Sequence, residues 1–163
     1  MTHAGEPKIR GAVVGAGHMG QYHILALAEI WGVELVGVVD SDFARAERVA
    51  VPYGARAFRD HRELAGLVDF ATVAVPTDQH FAVARDLLEA GAHVLVEKPM
   101  TSTLEEAKEL FRIARQQNRV LHVGHESAST ARYRSCARSS TGPSSSSRAG
   151  SVPSCPACRT TRW

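Results

Sequence analysis

The chain has 163 residues, of which 44% are apolar and 22% charged, a globular composition that excludes a wholly disordered chain or a coiled coil. The formal charge of +2 conceals a division: residues 127–163 carry 6 Arg and 11 Ser with no Asp, Glu, Lys or His, leaving 13 basic against 17 acidic side chains in the first 126. Cys136, Cys155 and Cys158 all lie in that terminal stretch, which excludes a disulfide framework for the first 126 residues. Neither a secretory leader pattern near Met1 nor an apolar run of about 20 residues is present, so a cytoplasmic location is expected.

Strand and helix patterns alternate along the first 126 residues. Lys8 to Val14 reads as a strand stopped by Gly15, and His18 to Ile30 as a helix with apolar residues at helical spacing, closed by Gly32. Val33 to Val39 is apolar nearly throughout, as a strand buried on both faces must be. Phe43 to Tyr53 follows as a helix, Ala55 to Phe58 as a strand, and His61 to Leu67 as a short helix capped by Asp60. Asp69 to Val75 is the clearest strand. After Pro76, Asp78 is expected to cap a helix to Ala90, with Gly91 as its C-terminal stop. His93 to Val96 reads as a strand, Thr103 to Gln117 as a helix whose Thr103 and Glu106 form a capping box, and Val120 to Val123 as a sixth strand. This alternation predicts an α/β fold, a doubly wound parallel sheet of the Rossmann type with helices on both faces.

Gly15-Ala16-Gly17-His18-Met19-Gly20 fits the G-x-G-x-x-G pattern, placed where a strand ends and a helix opens. There Gly15 permits the tight turn, Gly17 lets the backbone approach a pyrophosphate, and Gly20 lets helix pack on strand. The helix start adds unpaired N–H groups and partial positive charge. Asp40 ends the second strand 20 residues after Gly20, where a carboxylate receives ribose hydroxyls, and Ser41 follows it. His18 and Met19 belong to the same cofactor loop as helix-start residues rather than chemical groups. The alternative is a structural turn, with Asp40 merely starting the next helix. Asp40 would repel a 2′-phosphate, which favours NAD over NADP, while Arg45 lies close enough to soften that preference.

Three further stretches complete a pattern: Ala74-Val75-Pro76-Thr77 with His80, Glu97-Lys98-Pro99, and Val120 to His125. With the glycine loop and Asp40, they make residues 8–126 resemble the Gfo/Idh/MocA oxidoreductases, the glucose-fructose oxidoreductase and inositol dehydrogenase group. The resemblance implies hydride transfer between nicotinamide and a secondary alcohol of a sugar, cyclitol or polyol. It also implies that Val75, Pro76 and Thr77 line the nicotinamide half and that Lys98 meets the substrate hydroxyl as the catalytic residue. At the end of a buried strand, Lys98 is expected to be partly desolvated and so a better proton acceptor. Glu97 is expected to position the loop, Pro99 to fix it in a turn open to a cis peptide, and His80 to sit at a helix start beside the cofactor. His122 and His125, three apart on a strand, face opposite ways and make a poor metal pair, and no metal is expected.

The family's second, substrate-binding domain has no counterpart in the pattern after Glu126, where apolar periodicity stops and a disordered Ser/Arg-rich tail is expected. Back-translated with GC-rich codons, that stretch read in another frame gives a protein-like run beginning Arg-Phe-Asn, which points to a frameshift. Cys155-Pro156-Ala157-Cys158 has the spacing of half a zinc site, but a complete site needs four ligands, and metal or nucleic-acid binding is not expected. On this reading the chain binds a dinucleotide without completing a substrate pocket, and neither nucleic acid nor membrane is a partner. A non-catalytic dinucleotide sensor is the alternative with the same fold.

Overall fold

The computed structural model describes residues 8–124. The chain runs β1 (Ile9–Val14), α1 (His18–Glu29), β2 (Val33–Val39), α2 (Phe43–Ala50), β3 (Arg56–Phe58), β4 (Phe70–Val73), α3 (Thr77–Glu89), β5 (His93–Val96), α4 (Leu104–Gln116) and β6 (Leu121–Val123). Two 3-10 turns, Val51–Tyr53 and His61–Leu64, flank β3. All six strands pair in parallel in the order β3-β2-β1-β4-β5-β6. The expected doubly wound sheet is therefore present. The tail and the Cys155/Cys158 pair lie outside the described residues, as do His125 and Glu126.

Parallel strands need crossovers, and the crossovers place a hydrophobic layer on each face of the sheet. On one side Val14, Val73 and Val96 pack with Leu88 of α3 and Leu110 and Ile113 of α4. On the other, Val13 and Val38 pack with Ile24 and Leu27 of α1 and Ala46 and Ala50 of α2. Neighbouring β1 residues thus serve opposite layers, the period-two alternation of a pleated strand, which is why β1 has no polar face. In β2 the alternation slips: Leu35 and Val38 share a layer, because the β1–β2 register shifts between Gly11 and Ala12.

Several boundaries differ from the sequence pattern. The helix expected over 43–53 ends at Ala50 and continues as a 3-10 turn, because Pro52 offers no amide hydrogen to the α-helical ladder. The segment expected over 61–67 is a 3-10 turn of four residues, capped by Asp60 as expected, and Gly66 at φ +72° turns the chain away. Asp78 is not a cap. Pro76 is the last extended residue, at φ −57° and ψ 147°, so α3 begins at Thr77 and Asp78 falls in its first turn, a negative charge near the positive helix end. The Thr103–Glu106 capping box forms, and Gly91 closes α3 at φ +87°.

The topology decides where a ligand can bind. After β3 the chain returns to pair β4 with β1, so the loops leaving β1 and β4 diverge toward opposite faces and open a crevice at the C-terminal rim.

Candidate functional site

Each glycine of the loop after β1 does something different. Gly15 has φ +97°, and a Cβ there would come within 2.5 Å of the Ala74 carbonyl oxygen, so the loops after β1 and β4 cross without room for a side chain. A Cβ on Gly20 would fall on the Gly15 carbonyl oxygen, which fixes how closely α1 sits on the end of β1. Gly17 is the opposite case: a Cβ there would meet nothing within 4 Å. Gly17 also begins α1 with no side-chain cap, so the first amides of the helix face the crevice without an internal acceptor.

Asp40, immediately after β2, is the buried acid of this rim at 6% exposure. Its carboxylate accepts the Ala16 amide at 2.8 Å and the Asp42 amide at 2.9 Å, tying the glycine loop to the start of α2. Arg45 closes a fork on it, Nε donating at 3.0 Å and Nη2 at 2.6 Å. Burial pushes the Asp40 carboxyl up, but the Arg45 and backbone hydrogen bonds outweigh it and hold the group below the usual carboxylate range. The helix start belongs to Asp42, whose side chain accepts the Arg45 amide at 3.2 Å, so Asp40 is not a helix cap.

A groove of about 520 Å³ runs along this crevice. It brings together Gly15, Gly17, His18, Met19, Asp40, Ser41, Val75 and Pro76. Arg45, Arg59, His61 and Gln79 line it as well. Arg59, His61 and Gln79 carry no sequence signal of their own, because the turn that delivers Arg59 and His61 comes from a separate crossover. Gly20 lies behind the groove against β1, and Thr77 begins α3 beyond Pro76.

His80 sits beneath the groove rather than along it. Its ring is 1% exposed, with Nδ1 2.9 Å from the Pro99 carbonyl oxygen and Nε2 2.8 Å from that of Val75. It thereby joins the loop after β4 to the loop after β5. On that second loop the Lys98–Pro99 peptide is cis. Glu97 accepts the Lys98 amide at 3.2 Å and pairs with His23 of α1 at 2.7 Å, a partner that sequence spacing does not reveal. A Cβ on Gly124 would meet the Glu97 carboxylate at 2.9 Å, so the glycine after β6 gives that carboxylate its room. Lys98 is exposed, contrary to the expected desolvation, because β5 stops at Val96 and Lys98 stands two residues out on the open rim. His122 of β6 is exposed, and no cluster of His, Cys, Asp and Glu suited to a metal occurs among the described residues. No helix among them is long and apolar enough to cross a membrane.

Residues 9–125 match the family model described as the oxidoreductase family with an NAD-binding Rossmann fold. This chain belongs to the Gfo/Idh/MocA family. Among curated members of that family, UDP-N-acetylglucosamine 3-dehydrogenase of Acidithiobacillus ferrooxidans is 40% identical over 117 residues, spanning 72% of this chain and 37% of the relative. The solved structure of that enzyme superposes with a TM-score of 0.72 at 36% identity, over 83% of this chain and 42% of the other. GenD2 from gentamicin A biosynthesis, solved in complex with NAD, gives 0.71 at 34% identity, over 76% and 36% of the two chains. The WlbA dehydrogenase from Bordetella pertussis, solved with NADH and UDP-GlcNAcA, gives 0.68 at 29%, over 73% and 35%. The chain thus spans well under half the length of these Gfo/Idh/MocA relatives.

Proposed function

We propose that the crevice between β1 and β4 binds NAD(H), as the cofactor half of a dehydrogenase acting on a secondary alcohol of a sugar, cyclitol or polyol. The observation that carries this is the contrast among the three glycines: two have no room for a side chain, while Gly17 borders open groove where a pyrophosphate would approach. Asp40 receives the adenosine ribose hydroxyls, the start of α1 faces the phosphates, and Val75 to Thr77 line the nicotinamide half. Bound NAD⁺ would supply the hydride acceptor. Lys98, exposed on the same rim, would meet the hydroxyl and, in its neutral amine form, take its proton as the carbinol hydrogen leaves as hydride and the alcohol becomes a ketone. His80 and the His23–Glu97 pair hold the Lys98 loop against α3 and α1. The similarity to an enzyme named for 3-dehydrogenation of UDP-N-acetylglucosamine supports a sugar-type substrate.

The test is a fluorescence titration of the 163-residue chain with NADH. Saturable binding is expected. Gly17 has φ −69°, open to any residue, so Gly17→Val should fold with a stability change of about 1 kcal/mol or less, yet bind NADH at least about tenfold more weakly. An intact chain that does not bind NADH, or a valine variant that binds as well as the parent, would overturn the reading.

A further inference from the structure

We infer that the outer face of α1 is an interface at which two copies of this chain pair, their α1 helices antiparallel across a two-fold axis that passes between Tyr22 and Leu25. This interface is independent of the dinucleotide reading.

A helix on the surface of a soluble domain keeps a polar face toward water. α4 does so, with Glu105, Lys108, Arg112 and Arg115 exposed on it. α1 does not: of its twelve residues, Glu29 alone is an Asp, Glu, Lys or Arg. Gly20, Ile24 and Leu27 are buried on the sheet side. On the opposite side His18, Tyr22, Leu25 and Glu29 recur at i, i+4, i+7 and i+11, a single exposed stripe along the helix. Tyr22 is 58% exposed and Leu25 45%, with Ala26 and Ala28 exposed beside them. The rings of His18 and Tyr22 meet edge to face with centroids 5.1 Å apart, which holds the tyrosine along the stripe. Tyr53, in the 3-10 turn after α2, extends the patch with Val49 and Pro52 along a groove of about 470 Å³ between α1 and α2.

The stripe is complementary to its own reverse, which identifies the occupant as a second copy. In an antiparallel pair with Tyr22 opposite Leu25 of the second copy, symmetry also sets Leu25 opposite Tyr22 and His18 opposite Glu29, each contact made twice. The centre of the pair is apolar and both ends are polar. Ala26 and Ala28 are small enough to let the two backbones approach. Arg48 of α2 lines the groove together with His18, so Glu29 of the second copy arrives at the end that carries a cation. Glu47, next to Arg48 in sequence, is not part of that lining. Neither the Glu29 carboxylate nor the Arg48 guanidinium forms an ion pair among the described residues, so both are available to the second copy. A twelve-residue helix is only about 18 Å long, so the interface is small and the pairing reversible.

The test is sedimentation velocity on the full 163-residue chain over a concentration series. A monomer–dimer equilibrium is expected, with a dissociation constant on the order of 10–100 µM. Leu25→Asp should raise that constant at least about tenfold while leaving NADH binding and the urea midpoint close to those of the parent. Glu29→Arg and Arg48→Glu should each weaken pairing at least about threefold by setting like charges opposite, and the double variant should return to within about threefold of the parent. That reversal does not depend on how the Leu25 variant folds. A chain that stays monomeric throughout the series would overturn the inference, as would association that Leu25→Asp leaves unchanged or a double variant that pairs no better than the single ones. Failure of the parent to bind NADH would remove the proposed function and leave this interface standing.

Discussion

Asp40 shows how a single side chain acquires its setting from three separate elements. The end of β2 provides the residue, the glycine loop provides the Ala16 amide, and α2 returns Arg45 to it. Gly20 is the sharper case, since its missing Cβ is what lets α1 begin beside the end of β1. Gly20→Ala should therefore cost about 1–3 kcal/mol through overpacking, read as a lower urea midpoint, whereas Gly17→Val should not. The pair of substitutions separates packing from ligand approach within one motif. The pattern of the loop and the position of Asp40 were legible in the sequence. The Arg45 fork was legible only as proximity, because whether an arginine reaches back to a carboxylate five residues earlier depends on the direction in which α2 leaves.

Among the elements, the termini of the helices are where local chemistry has most say. Thr103 accepts the Glu106 amide at 3.3 Å, and Glu106 returns the bond to the Thr103 amide at 3.2 Å, so both ends of the capping box are satisfied. Thr103→Ala should destabilise the protein by about 1 kcal/mol in urea unfolding, within the range for lost N-caps. Caps, glycine stops and apolar strands were readable because they are local. The two 3-10 turns were not, since a run of seven to eleven residues with helical spacing does not say which hydrogen-bond ladder it adopts until Pro52 or Gly66 breaks it. The register shift between β1 and β2 left no mark in the sequence either, being a property of the pair.

At the scale of the whole molecule, ion pairs join segments distant in sequence. Arg10 holds Asp69 across β1 and the start of β4, and Asp86 of α3 gathers Arg85, His61 and Arg62. For Asp69, the Arg10 hydrogen bonds lower the carboxyl pKa. For Asp86, as for Asp40, burial raises it, but the hydrogen bonds from its cationic neighbours outweigh burial. A carboxyl whose pKa is depressed in the folded state binds a proton more readily when unfolded. Its stabilisation is thus complete above the unfolded value of about 3.9 and lost as pH falls through the folded one. The urea midpoint should accordingly decline as pH is taken below about 4, and Asp86→Asn should make that decline shallower. Asp69 should contribute least, because its side chain is 42% exposed and solvent screens its pair.

By itself the sequence determined the alternation of strand and helix, the glycine loop, the carboxylate after β2 and the family, because each of these is written in contiguous residues under local steric and hydrophobic rules. The tertiary structure alone decided that His23 meets Glu97, that His80 joins the Val75 and Pro99 loops, and that Arg59 and His61 share a groove with Asp40. These contacts join residues carried by different crossovers. Their distances follow from the order in which six parallel strands pair, and periodicity along one segment carries no information about that order.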